Sequence, residues 1–316
     1  MTVTVDVEAM LRHVVLEIGD ETVQIDQRHS HPPCIGRSAA ATARHCIAPG
    51  RGGTSGGWSG SLAPMPRDFL DVLNAAADAA VEALAGCTDW GPTGRKPGQY
   101  GFDLATDAAA TAVLRDSGLR VLSEESGLEA GDRPVAVLDP VDGSTNASRG
   151  IRYFATSICV VDGGAPVAAV VHDHGNGERF EAMNGGGARR DGTRLAREEE
   201  QPLRSAVVGI NGQAPGWGGW AQVRTLGAAA LELCGVADGR LDAYIDFSAS
   251  GLGSWDYLGG LLVCQEAGVD VVDGTGRDLV TLEHAARRAP VAATPHLLKD
   301  VLDAYVRLTG ADADRC

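Results

Sequence analysis

The 316-residue chain carries 42 acidic against 27 basic residues, a formal charge of −15, which argues against a nucleic-acid or anionic-membrane surface because both need basic patches. An apolar fraction of 44% suits an ordinary soluble globule, no apolar run approaches the roughly 20 residues of a membrane span, and no basic-then-apolar start suggests a secretory signal. Seven scattered cysteines without Cys-x-x-Cys spacing fit a reducing cytoplasm, with Cys159, Cys234 and Cys264 reading as small buried hydrophobes.

Residues 1–63 differ from the rest, with a Gly-rich run from Arg51 to Gly60 and no sustained periodicity. They read as a mostly disordered tail in which His29, His31 and His45 are solvated rather than a metal clip. From Arg67 to about Ala85, Phe69, Leu70, Val72, Leu73, Val81 and Leu84 predict an amphipathic helix. Thr88–Gly98 reads as a flap, and a second helix is expected from about Leu104 to Asp116. Short buried strands follow at Leu119–Ser123 and Val135–Leu138, then a hairpin at Phe154–Val161 and Val167–His172, and a strand at Phe180–Met183. His172 and His174 share a strand face, where a structural role is expected. The charged stretch from Arg197 to Glu200 marks a boundary, dividing the ordered chain into 64–202 and 203–312. The second part alternates strand and helix: strand Ala206–Ile210, helix Ala228–Val236, strand Ala243–Phe247, helix Trp255–Ala267, strand Val269–Val272, and a last helix from about His296 to Leu308. Such alternation is typical of layered α/β architectures.

The chemistry concentrates in Asp139-Pro140-Val141-Asp142-Gly143-Ser144-Thr145-Asn146. Two carboxylates three residues apart run into a segment that can open a helix. Hard cations such as Mg²⁺ take oxygen ligands from carboxylates, carbonyls and water, and N–H groups at a helix start receive phosphate oxygens. Gly143 lets the backbone approach closely, while Ser144 and Thr145 add hydroxyls. Other acids lie at strand ends and helix starts: Asp107, Glu124, Glu125 and Asp256. Singly, each is explained by a helix cap or a solvated acid; together with the Asp-Pro-Val-Asp segment they form a ligand set. Glu124 and Glu125 face opposite ways in an extended chain, and local pattern leaves open which one faces a metal. Bound cations would also reconcile an acidic protein with a phosphate-ester substrate.

Ser123-Glu124-Glu125-Ser126, the segment Asp139–Asn146, and Trp255-Asp256 leading to Glu266-Ala267-Gly268 together resemble the inositol monophosphatase family of Mg²⁺-dependent, lithium-sensitive sugar phosphatases. The likeness covers about Arg67 to Leu308, with softer matches at Gly185–Ala188, Asp191-Gly192 and Gly227-Ala228-Ala229. It implies a layered α+β sandwich of alternating α-β-α-β-α layers and two to three Mg²⁺ ions. It places ligands on Glu125, Asp139, the Val141 carbonyl, Asp142 and Asp256, with Asp107 at a further, weaker site. Phosphate would sit on Gly143 and Ser144, and the substrate against Gly227, Ala228, Ala229 and Asp246. The stretch Ser248–Gly253 lengthens the spacing from Asp246 to Trp255 and alters the pocket rim. The expected activity is hydrolysis of a small polyol or sugar phosphate, inositol monophosphate first, by metal-activated water. Asp107, Ser144 and Glu125 would be the catalytic residues. Histidinol phosphate, fructose 1,6-bisphosphate and 3′-phosphoadenosine 5′-phosphate are alternative substrates, and a non-catalytic sugar-phosphate-binding regulator is the reading from another class. A cytoplasmic homodimer is the expected assembly.

Overall fold

The computed structural model describes residues 15–18, 21–24, 66–197 and 201–311. The first two stretches are strands β1 (Val15–Ile18) and β2 (Glu21–Gln24), paired antiparallel within a unit spanning residues 1–60. A hairpin pairing is therefore described inside the segment read as a tail. The rest of that expectation, His29, His31 and His45 included, lies outside the described residues, as do residues 198–200 of the charged boundary.

The remainder belongs to a second unit, residues 61–316. It opens with α1 (Pro66–Ala85) and α2 (Gly101–Asp116), then β3 (Arg120–Ser123), β4 (Gly127–Leu128), β5 (Val135–Asp142), the short α3 (Ser144–Ser148), β6 (Ala155–Asp162), β7 (Ala165–Asp173), β8 (Arg179–Met183), β9 (Gly187–Arg190) and β10 (Thr193–Arg194). These strands form an eight-stranded sheet in the order β10-β9-β8-β7-β6-β5-β3-β4, antiparallel except for the parallel pair β3–β5. A five-stranded sheet follows, in the order β12-β11-β13-β15-β14. It comprises β11 (Val207–Gly212), β12 (Gln222–Arg224), β13 (Ala243–Phe247), β14 (Asp270–Asp273) and β15 (Pro290–Ala293), with helices α4 (Ala229–Ala237), α5 (Ser254–Ala267) and α6 (Pro295–Thr309).

Strand alternation explains the layering. In the larger sheet Ala136, Leu138, Ile158, Val160, Ala168 and Val170 share a core with Leu73 and Ala76 of α1 and Ala110 and Leu114 of α2. The intervening residues Val135, Val137, Cys159, Val161, Ala169 and Val171 face the other way, into a core with Leu233 of α4 and Leu258 and Leu261 of α5. Strands buried on both faces read as continuous apolar runs, as these do. The α4–α5 layer also receives Tyr244 and Ala292 from the second sheet. The opposite face of that sheet, through Ile245, Val291 and Ala293, packs on Leu297, Val301 and Ala304 of α6. The result is the expected α-β-α-β-α sandwich. At Gly259 helix α5 comes so close to the sheet that a Cβ would meet Ser157 Oγ at 2.5 Å. That contact draws the first turn of α5, and Asp256 with it, onto β5 and β6.

Several strands of the second unit were not expected from the sequence: β4, β9, β10, β12 and β15. Strand β15 begins on a proline and is half alanine, both poor strand markers, and β12 has only three residues.

Candidate metal centre

Asp139 and Asp142 close β5, and in a regular strand residues three apart point to opposite faces. Here they do not. Asp139 stands opposite Ser157 of β6 and Asp142 opposite Ala155, so three steps on β5 are matched by two on β6. The extra residue is a β-bulge. Because Ser157 and Ala155 share a face, the bulge turns both aspartates toward the α4–α5 layer. Asp256, in the first turn of α5, meets them there. Carboxylate oxygens of Asp139, Asp142 and Asp256 lie within 4.8 Å of one another.

Each acid is held by a backbone donor. Asp139 Oδ1 accepts the Val141 N–H at 3.0 Å. Asp142 Oδ2 accepts the Ala230 N–H at 2.7 Å, in the first turn of α4. Asp256 Oδ2 accepts the Gly253 N–H at 2.7 Å, a cap that fixes it at the opening of α5. The following turn is equally constrained. Gly143 has φ +87°, and a Cβ there would meet the Gly227 and Tyr153 carbonyls at 3.1 Å and Ala228 Cβ at 3.2 Å. Ser144 Oγ lies 2.7 Å from the Val141 carbonyl and 2.9 Å from Asp103 Oδ1. Asn146 donates to the Tyr153 carbonyl at 2.8 Å and the Leu226 carbonyl at 2.7 Å. In this way Gly227 and Ala228, at the mouth of α4, are brought against Gly143.

The structure departs from the sequence expectation at the paired glutamates. Glu125 is turned to the flap, where Gln99 Nε2 donates to it and Lys96 Nζ lies 3.5 Å from Oε2. Glu124 is the neighbour whose charge acts most strongly on Asp139, ahead of Asp142, Asp256 and Asp103. Both glutamates lie in the turn between β3 and β4, beyond the last strand residue Ser123, so the turn and not strand alternation sets their directions. Asp107 is buried in α2 and accepts the Ser123 hydroxyl, whose oxygen also takes the Glu125 N–H at 3.1 Å. Asp246 is buried on β13, where Oδ1 accepts Asn211 Nδ2 at 2.9 Å and the Ser248 N–H at 3.0 Å. The stretch Ser248–Gly253 pairs with the chain at Arg288: Leu252 donates to the Arg288 carbonyl at 2.8 Å and accepts its N–H at 2.9 Å.

Two buried acids escaped sequence reasoning, Asp103 beneath Ser144 and Glu232, while the sequence left the choice between Glu124 and Glu125 open. Glu232 is buried in α4 and its Oε1 accepts the Leu226 N–H at 3.4 Å, under the 226–228 turn. Asp103 had a legible signal, since it sits three residues after Tyr100, whose N–H it caps at 2.8 Å.

Burial first, and then the neighbouring carboxylates, push these acids upward. Glu124 rises to about 8, while Asp139 and Asp142 are held well above the ordinary range. Burial likewise raises Asp256 and Asp103 to about 6. All four charges acting on Asp139 are negative, and divalent cations are the counter-charge that oxygen donors of this kind accept. The donor set therefore fits a hard metal ion. A raised carboxylate keeps its proton in the fold after the unfolded chain has lost its own. From about pH 4, where free carboxylates ionise, to about 8 for Glu124, the folded chain binds more protons, so its stability falls as pH rises. The melting temperature in chelator is accordingly expected to drop across this window. Mg²⁺ is expected to raise it more at the alkaline end than at the acid end, a difference a fluorescence melt reads directly.

A model of the inositol monophosphatase family matches residues 102–307. Among curated relatives, Nus factor SuhB of Pasteurella multocida (strain Pm70) is 33% identical over 224 residues, covering 64% of this chain and 80% of its own. Nus factor SuhB of Escherichia coli (strain K12) is 35% identical over 201 residues, covering 57% and 74%. Among solved structures, the inositol monophosphatase from Anabaena (Nostoc) sp. PCC 7120 superposes with a TM-score of 0.64 at 27% identity, covering 77% of this chain and 96% of that one. The extragenic suppressor protein suhB from Bartonella henselae gives 0.65 at 25% identity, covering 75% and 98%. With the same layered fold in these neighbours and the family match spanning more than half its length, the chain belongs to the inositol monophosphatase family.

Proposed function

We propose that the chain is a Mg²⁺-dependent phosphomonoesterase that hydrolyses a small polyol or sugar phosphate, with inositol monophosphate as the first candidate. The observation that carries this reading is the bulged end of β5, which turns two aspartates onto Asp256 beside the Gly143-Ser144 turn. Asp139, Asp142, Asp256 and the Val141 carbonyl would hold the metal, with Glu124 in the position first given to Glu125. When bound, Mg²⁺ supplies an activated water and a counter-charge for the leaving oxygen.

The chain's own residues do the rest. Backbone N–H groups at Gly143 and Ser144 receive the non-bridging phosphate oxygens, since the first N–H groups of a helix have no intrahelical acceptor. Ser144 Oγ, seated between Asp103 and the Val141 carbonyl, orients the attacking water. Asp107 serves the same water from the α2 side, and burial raises its carboxyl toward proton acceptance. Asp246 and the Gly227–Ala229 turn contact the alcohol. Glu125, near Asp103 and Asp107, belongs to the flap side of the site.

The test is phosphate release from a panel of esters (inositol monophosphate, histidinol phosphate, fructose 1,6-bisphosphate and 3′-phosphoadenosine 5′-phosphate) with Mg²⁺, then with Li⁺ added. Turnover of one ester well above the others identifies the alcohol. No turnover of any ester overturns the enzymatic reading. E124Q is expected to raise the Mg²⁺ concentration for half-maximal activity by at least about tenfold, and E125Q by distinctly less. The reverse order would return the ligand role to Glu125.

A second reading has one observation in its favour: the curated relatives described above carry the name Nus factor SuhB. On that reading the chain binds metal and a sugar phosphate and regulates a partner. Mg²⁺ binding by calorimetry with no turnover across the panel would favour it.

A further inference from the structure

The aspartate pair depends on the bulge, and the bulge is supported from its far side. Thr156 is the β6 residue between Ser157 and Ala155, opposite Pro140 and Val141. It is fully buried and, by strand alternation, shares the face of Ile158 and Val160, away from the acids. Its hydroxyl donates to the Pro140 carbonyl at 2.8 Å. The same oxygen lies 2.8 Å from His174 Nε2. With its single proton committed to Pro140, Thr156 Oγ1 accepts from His174, which therefore carries its proton on Nε2.

His174 is itself fixed. Its ring stacks on Phe154 at 5.5 Å and meets the edge of His172 at 5.0 Å. The Arg179 guanidinium lies 3.4 Å from His172 Nδ1 and donates to Asp78 at 2.8 Å. Burial holds His174 down to about 3, so the ring remains a neutral donor.

We propose that Thr156 and His174 are positioning residues that clamp the Pro140 carbonyl and thereby aim the Val141 carbonyl and the Asp142 carboxylate at the metal; this rests on the metal-centre reading above. A bulge lacks the continuous ladder that fixes a regular strand. Here a side-chain hydroxyl replaces the missing restraint, and the His174 N–H removes its freedom to rotate. Valine at 156 would keep the shape and lose both hydrogen bonds. Partners one step behind a ligand typically contribute 10–100-fold to metal affinity.

The test is calorimetric titration of the full chain with Mg²⁺, read beside the melting temperature in chelator. T156V is expected to raise the Mg²⁺ dissociation constant by roughly 10–100-fold, whereas T156S, which keeps the hydroxyl, stays close to wild type. H174F shifts affinity in the same direction as T156V. V160A, on the same strand and face, loses stability through packing and keeps its Mg²⁺ affinity. T156V binding like wild type, or V160A losing as much affinity for an equal loss of melting temperature, overturns the clamp. H174F binding like wild type removes His174 from it. A wild-type chain that binds no Mg²⁺ overturns the metal reading and the clamp together.

Discussion

Asp139→Asn is expected to abolish Mg²⁺-dependent phosphate release while leaving the protein folded. Asparagine keeps an Oδ1 acceptor for the Val141 N–H, 3.0 Å away in the native chain, so the bulge retains that restraint. What it loses is a ligand charge at the centre of the cluster formed with Asp142 and Asp256. A bound metal contributes several kcal/mol of transition-state stabilisation, so a loss of about a thousandfold or more in rate follows. The stability effect has the opposite sign. Asp139 is buried among like charges that raise its pKa, and removing one of them relieves repulsion. In chelator above about pH 8, beyond the Glu124 value, D139N should melt at or above wild type. Added Mg²⁺ should then stabilise only the wild type. Full activity in the variant would sink the assignment of Asp139.

Gly143→Ala should be the most damaging change that touches no charge. The residue sits at φ +87°, and a Cβ would press on two carbonyls at 3.1 Å and on Ala228 Cβ at 3.2 Å. Left-handed backbone at a non-glycine residue costs about 1–3 kcal/mol, roughly 2–10 °C in a domain of this size. Those contacts cannot be relieved cheaply, because Asn146 ties the same turn to Leu226. The space a Cβ would fill also separates the Gly143-Ser144 turn from the Gly227-Ala228 turn, so on the proposed function KM for the preferred ester should rise tenfold or more, an order-of-magnitude expectation for a displaced positioning group. A melting temperature and a KM both unchanged from wild type would show that this approach is not needed.

These two predictions bear on how an acidic chain handles an anionic substrate. Acids raised by burial converge here from four segments: the turn after β3, the end of β5, and the first turns of α2 and α5. On the proposed function, such a cluster would repel a phosphate until cations occupy it, and ester binding is then expected to require metal. The curated relatives' name leaves room for a role beyond turnover, and the ester panel separates the two readings.

Much of this was legible before the fold was known. Helix α1 announces itself by apolar periodicity, α5 by a continuous apolar run that is buried on almost every face, and β6 and β7 by buried runs around Asp162-Gly163-Gly164. Asp139, Asp142, Gly143 and Ser144 stand out by order and spacing, and the fold brings both carboxylates together beside the Gly143-Ser144 turn. Asp256 was reachable through its place after Trp255. Strands β12 and β15 were invisible, since three residues, or a proline followed by alanines, carry no period to read. The choice between Glu124 and Glu125 was also out of reach. Both lie in the turn between β3 and β4, where side-chain direction follows the turn and carries no period to read.

The sequence by itself determined the materials of the candidate site: which oxygen donors exist, and a glycine-led turn directly after two close carboxylates. Only the tertiary structure decided that Asp139 and Asp142 act together. Three apart on a regular strand they would face opposite layers; pairing with β6 forces a bulge there, and the Thr156 hydroxyl accommodates it. The physical reason is that side-chain direction in a sheet is a property of register between strands. Register is fixed by partners some fifteen or more residues away along the chain, which no local pattern contains.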